Sequence, residues 1–294
     1  MGKKYLVWPK DNDTNDTTDN CMLGVACDNL ILQEIDEDTF REIEYKNSLA
    51  GEFIWRHNYF KMMKLNFIEL RKALVSFEKE NNSIVIEDKY MPYITNANRL
   101  FINLLGSFYI YVDHYDQYFK TLSDDGDPIA KLTSKYYDAY FLYRFFYKLR
   151  NFVVHAGIPI TKIKMCPNNN FFIMRDYLLN RSDCWGENVR IELKKEKDSF
   201  YVVELVEDFF KMMNKFHIEM VDSQTNEMIS LVHFFNSYRK QIGNNYYYPQ
   251  IYDKEKIKDG LITYYSNIVE PAIELEKALR EECIDIDTGK RIET

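Results

Sequence analysis

Two long stretches repeat their apolar residues at the period of a helix, and this limits the architectures open to the chain. Phe53, Phe60, Met63, Phe67, Leu70, Leu74 and Phe77 recur at spacings of three, four and seven, as do Val203, Val206, Phe210, Met213, Phe216 and Met220. Such spacing lines one face of an α-helix. A long helix is therefore expected over residues 41–80 and another over about 200–240. Neither stripe can be buried except against further helices. Leu100, Ile102, Leu105, Phe108, Ile110 and Val112 give a third expected helix, over about 95–120, a broad apolar surface suited to packing between several neighbours.

The rest of the chain fits around these. A fourth helix is expected from about Ile129 to Ala156, introduced by the turn signal Ser123-Asp124-Asp125-Gly126-Asp127-Pro128 and closed by Gly157 and Pro159. The acids of that turn do not have EF-hand spacing. Residues 161–165 alternate like a strand, 167–170 read as a turn, and Phe171-Phe172-Ile173-Met174 as the returning strand of a small hairpin. One or two short helices are expected in 176–198 and a last helix over 254–282. Residues 84–86 are too short to classify. Ordered structure is expected from about Asp38, capped by Asp38 or Thr39, after an acidic arm over residues 1–40 that includes a polar tract at 11–20 and a short possible strand within 22–35. No repeat and no linker divides the chain. The expected organisation is all-α: one helical domain over 41–294 with a C-terminal helical extension and a minor β element.

Composition narrows the class. The 294 residues are 46% hydrophobic and 29% charged, as in globular proteins. The net charge of −8 is uneven. Residues 1–40 hold nine acids and three bases, which leaves the other 254 close to neutral. Residues 129–175 hold eight bases (Lys131, Lys135, Arg144, Lys148, Arg150, Lys162, Lys164, Arg175) against the single acid Asp138. A local positive field suits a phosphate-bearing partner, although a solvated face paired with acids elsewhere has the same composition. Five scattered cysteines without CxxC spacing point to a reduced, cytoplasmic protein without a structural zinc site. No signal-peptide or myristoylation pattern is read at the start, and the most apolar run, Leu100 to Val112, is too short to span a bilayer. No membrane role is expected.

The basic window surrounds an unusual helix. Arg144, Lys148, Asn151 and His155 follow at spacings of four, three and four, so they form one polar stripe, opposite a core face of Leu142, Phe145, Phe146, Leu149, Phe152 and Val153. Gly157 suits the left-handed position that ends a helix, which puts His155 in the last turn, where the helix dipole favours positive charge. A histidine so placed suits general acid–base chemistry. Arg150 projects about 140° away from His155 on an ideal helix. Three arrangements answer this: a distorted helix end, an arginine that reaches round, or a site completed by a second copy of the chain. The structural alternative is a helix-end histidine bonded to backbone and an arginine in a buried ion pair.

Arg150-Asn151-Phe152-Val153-Val154-His155 resembles the R-N-x-x-x-H signature of the HEPN superfamily, and the helix running from Asn98 through His114 is similar to the one before the motif in bacterial members. The similarity extends over about residues 41–240, on a motif of six residues. It implies a helical bundle that dimerises through the motif helix. Active members are metal-independent RNA endonucleases, often toxins or anti-phage effectors. The resemblance implies that His155 is the acid–base group, that Arg150 stabilises charge on the scissile phosphate, and that Asn151 orients one of them or the RNA. Arg144, Lys148 and Lys162 would hold neighbouring phosphates. The reaction would be attack of a ribose 2′-OH on the adjacent phosphodiester, with no cofactor and no metal. One subgroup carries a tyrosine two residues after the histidine, where this chain has Gly157, so regulation through that tyrosine is not expected. A cognate inhibitor or activator protein fits the toxin type.

Two rivals follow from the same residues. One is a HEPN-like module that only binds RNA, a nucleotide or a protein, and the other is a structural subunit of a defence complex. His114 is read as structural or interfacial, since no metal-spaced partner accompanies it. His57, His217 and His233 have no chemically suggestive sequence neighbours, and residues 246–248, three tyrosines, suit packing more than base stacking.

Overall fold

The structure is a computed structural model that describes residues 4–9, 30–79, 90–119, 128–164, 170–242, 250–253, 257–258, 261–262, 266–267 and 270–292; side chains are described within 34–79, 90–113, 131–164, 170–238 and 272–292. The polar tract at 11–20, the segment 84–86, the acidic turn at 123–127, the turn at 167–169, the tyrosines 246–248 and the side chain of His114 lie outside these. Eight helices dominate the described residues. The chain divides into two compact units, residues 1–57 with 223–294, and residues 58–222.

The helices expected from periodicity are present. They are α1 (Glu37–Lys79), α2 (Met91–Phe119) and α7 (Val202–Ile242). Asp36, one residue before α1, provides its cap: the Asp36 carboxylate accepts from the Thr39 backbone N–H at 2.6 Å. That bond holds the Asp36 carboxyl below its ordinary pKa. The cap thus falls just ahead of the expected Asp38 or Thr39. On α2, Ile102 and Ile110 are exposed rather than buried, so its apolar surface is wider than its core contact.

In the first unit, β1 (Lys4–Pro9) pairs antiparallel with β2 (Leu30–Ile35) in a four-stranded sheet of order β2-β1-β6-β9, where β6 is Gln250–Asp253 and β9 is Ser266–Asn267. Strand β1 lies inside the stretch read as an acidic arm. The expected helix over 254–282 is shorter, α8 (Glu270–Glu281), with β7 (Ile257–Lys258) and β8 (Leu261–Ile262) paired ahead of it. Pro271 explains the difference, since proline fits the first turn of a helix and breaks its interior. Asp259-Gly260 between the two short strands is also a hairpin signal in the sequence.

The second unit holds the motif. The expected helix from Ile129 to Ala156 is two helices, α3 (Pro128–Ala139) and α4 (Phe141–His155), separated at Tyr140, whose backbone is extended (φ −117°, ψ 113°). The small hairpin is present as β3 (Ile160–Lys164) and β4 (Asn170–Met174), and β5 (Ser199–Tyr201) joins it on the other edge of β4. Residues 199–201 were expected near the start of the long helix. Two short helices, α5 (Arg175–Arg181) and α6 (Glu187–Lys195), fill the expected interval. The core around α4 is aromatic. Phe146 stacks on Phe209 at 3.7 Å between ring centres, and Phe145 and Phe152 both stack on Trp185, at 5.9 and 5.6 Å. The Trp185 indole N–H donates to the Leu178 carbonyl, so this fully buried ring leaves no unsatisfied donor. Among the described residues, no helix is long and apolar enough to cross a membrane.

Candidate active site

Of the core face expected for helix α4, Phe145, Phe146, Leu149 and Phe152 are fully buried, Tyr143 joins them at 3% exposed, and Leu142 and Val153, at its margins, are only half-buried. That packing fixes the rotation of the helix and so the direction of every polar residue on it.

Arg144 is turned toward α6 and the end of α3. Its guanidinium donates from Nε to Glu192 Oε2 at 3.1 Å and from Nη2 to Glu192 Oε1 at 2.6 Å, while Nη1 donates to the carbonyls of Tyr137 and, at 2.8 Å, of Asp138. The last carbonyls of α3 have no intrahelical donors, and a guanidinium there satisfies them and complements the helix dipole. Arg144 is thereby committed within the chain. Neither Ala139 nor Tyr140 marks the α3–α4 break in the sequence, and this contact accounts for where it is stabilised. Lys148, one turn on, is half-buried, with its stem 4.0 Å from where a side chain at Gly186 would begin.

Arg150 lies on the α2 side. Its guanidinium sits over the Tyr109 ring, 4.1 Å from the centroid, and Nη1 donates to Asn151 Oδ1 at 3.2 Å. Within a single chain Arg150 thus reaches the neighbouring asparagine and the Tyr109 ring. His155 stands one turn beyond Asn151 and is exposed. Among the described residues, no hydrogen bond joins it to Arg150 or Asn151.

The helix ends directly after His155. Ala156 N–H and Gly157 N–H both donate to the Phe152 carbonyl, at 2.8 and 3.2 Å. Gly157 has φ 158°, near-extended and far from the left-handed helical value expected for it. Close approach is what calls for glycine here: a Cβ at this position would lie 2.9 Å from the Tyr177 hydroxyl. Arg181 donates from Nε to the Ala156 carbonyl at 3.1 Å, which brings a further cation to the helix end. Buried Asn98 then fixes the exit: its amide donates to the Ile160 carbonyl at 2.8 Å and accepts from the Ile160 N–H at 3.0 Å. Lys162 follows on β3, exposed.

Sequence reasoning missed Tyr109, Tyr177, Arg181 and Glu192. They are distant in sequence from the motif and carry no pattern of their own. It also found no partners for two histidines that tertiary structure supplies. In the first unit His57 Nε2 lies 2.7 Å from Glu281 Oε2, with Nδ1 3.4 Å from Glu282 Oε1. In the second, His217 Nδ1 is 2.8 Å from the Tyr111 hydroxyl and its ring stacks on Phe60 at 3.6 Å.

The α4 end thus offers an exposed imidazole, an asparagine-bound guanidinium one turn earlier, and Arg181 on the terminal carbonyls. Such a set can move a proton and hold an anion. Comparison with protein-family models, with curated proteins and with solved structures gives no match.

Proposed function

We propose that the second unit is a HEPN-like, metal-independent endoribonuclease whose site is the α4 end, completed in a homodimer by a second copy of the same helix. The observation that carries the reading is the Arg150–Asn151 hydrogen bond with His155 exposed one turn further on. In this reading His155 takes the proton from a ribose 2′-OH as that oxygen attacks the adjacent phosphorus, the P–O5′ bond breaks to leave a 2′,3′-cyclic phosphate, and the leaving 5′-oxygen takes up a proton from water. Arg150 neutralises the charge that builds on the phosphoryl oxygens, and Asn151 holds the guanidinium in place. Lys148, Lys162 and Arg181 supply the surrounding positive charge, whereas Arg144, bound to Glu192, acts by positioning the helix. Exposed Val154 and Ile158, flanking His155, suit burial against a second copy. A toxin or anti-phage role, with a cognate inhibitor or activator, belongs to the same reading.

The test is incubation of the purified chain with total RNA or tRNA in excess EDTA, with mapping of the product ends. Cutting that leaves 2′,3′-cyclic phosphates and vanishes in His155→Ala supports the reading. The lack of a hydrogen bond between His155 and Arg150 favours the second reading, a module that binds RNA without cutting it. Salt-dependent RNA binding without any products would support that one.

A further inference from the structure

Away from the α4 end, the second unit has a cleft of about 440 Å³ between α2, α3 and α4, lined by Asp113, Tyr137, Asp138, Tyr143 and Tyr147 among others. This volume is in the range of small-molecule sites. The Tyr137 ring stands edge-on to Tyr143, at 6.4 Å and 81°, and to Tyr147, at 6.3 Å and 87°. The three rings therefore form a corner of aromatic faces and edges rather than a flat slot. Tyr143 is 3% exposed, and its hydroxyl makes no hydrogen bond to any described residue, although it borders the cleft.

Among the described lining residues the charges have one sign. Asp113 and Asp138 both line the cleft and form no ion pair among the described residues, and no described Lys or Arg lines it. Two cations on α3 and α4 are committed elsewhere: Arg144 to Glu192, and Lys135 to Glu219 at 2.7 Å. Burial raises the pKa of the Tyr147 phenol, followed by the effects of Tyr109 and Asp113, in keeping with a negative charge beside it. Just outside, Tyr109 already holds one diffuse cation, the Arg150 guanidinium, and its ring is 5.8 Å from that of Tyr147.

We infer that this cleft is a binding site for an organic ammonium ion, alkylated on nitrogen, held by the faces of Tyr137 and Tyr147 with Asp113 and Asp138 as counter-charges. Aromatic faces attract a weakly hydrated cation through the ring quadrupole. A strongly hydrated metal ion would leave the aromatic rings of the lining unused. A phosphate-bearing ligand would meet two carboxylates, and an uncharged one would leave them without a counter-ion. The Tyr143 hydroxyl is placed to hydrogen-bond a polar substituent on the ligand's alkyl arm. None of this depends on the nuclease reading.

The test is calorimetric titration of the full chain with choline, beside the neutral analogue in which a tert-butyl group replaces trimethylammonium. The expected result is saturable one-to-one binding of choline, at least tenfold weaker binding of the neutral analogue, and at least tenfold weaker choline binding in Asp113→Asn and in Tyr137→Leu. Circular dichroism identifies a variant that fails to fold, and Asp113→Asn, which keeps shape and removes only charge, decides the matter if Tyr137→Leu is lost. Equal affinity for the neutral analogue, affinity unchanged in Asp113→Asn, saturable binding of guanosine in place of choline, or no binding up to roughly 10 mM choline would each overturn the assignment.

Discussion

The guanidinium of Arg144 and the carboxylate of Glu192 meet through two hydrogen bonds, at 2.6 and 3.1 Å, with the arginine side chain 12% exposed. A two-point pair of this kind, with Nη1 on two backbone carbonyls, is structural. Arg144→Ala is expected to lower stability by about 2–3 kcal/mol, the worth of charged hydrogen bonds lost from a partly buried site. Denaturant unfolding measures the loss, and a double-mutant cycle with Glu192→Ala should show coupling between the two positions. The salt dependence of RNA affinity should keep its slope, since a phosphate contact would reduce it by about one.

His155 and Arg150 are expected to separate chemistry from folding. His155→Ala should reduce RNA cleavage by about 10²–10⁴-fold, the usual worth of an acid–base group. Its melting temperature should stay unchanged, because the side chain is exposed. Arg150→Lys keeps the charge but loses the planar fork and the stacking on Tyr109, and it should also lose most activity. Single-turnover cleavage rates beside thermal melts check both.

Asn98 serves the site from beneath. Asn98→Ala removes the donor and the acceptor that satisfy the Ile160 backbone in a buried place, at an expected cost of about 3 kcal/mol. Amide hydrogen exchange localises the effect: protection should fall first in β3 and the segment from Gly157 to Ile160. An even loss across the unit would contradict an anchor at this point.

Gly157→Ala places a methyl group 2.9 Å from the Tyr177 hydroxyl, too close without movement of one of them. Destabilisation of about 1–3 kcal/mol is expected from the overpacking. Tyr177→Phe removes the obstructing oxygen, so the double variant should regain part of the loss. Denaturation midpoints of the four proteins in this cycle test it.

Alkaline pH should destabilise the second unit. Burial raises the pKa of Tyr143, helped by Tyr147, and burial likewise raises that of Tyr147. The folded chain therefore keeps these protons after the unfolded chain, whose tyrosines titrate near pH 10, has lost them. Their contribution is complete below about pH 10 and is lost as pH rises from there toward the folded values. Unfolding curves at rising pH should show a decline that is smaller in Tyr143→Phe.

The sequence alone was enough for the helical class, for α1, α2 and α7, for the hairpin of β3 and β4, and for the centre of the buried face of α4, because each depends on periodicity or turn chemistry that a short window contains. The shortening of α8 is legible as well, in Pro271. The break at Tyr140 was not legible. Local residues favour a continuous helix there, and what stabilises the interruption is Arg144 reaching the carbonyls of Tyr137 and Asp138 while Glu192, 48 positions away, holds it.

The same division runs through the candidate site. Helical spacing alone put Asn151 and His155 on one face and Arg150 off it. Only tertiary structure decided that Arg150 stacks on Tyr109 and turns to Asn151, that Arg144 is tied to Glu192, and that Arg181 and Tyr177 close the helix end. The physical reason is range. A helix period is set by backbone bonds between residues four apart. The partner of a long charged side chain is set by whichever distant surface the core packing brings within about 3 Å of its tip, and no local pattern encodes that.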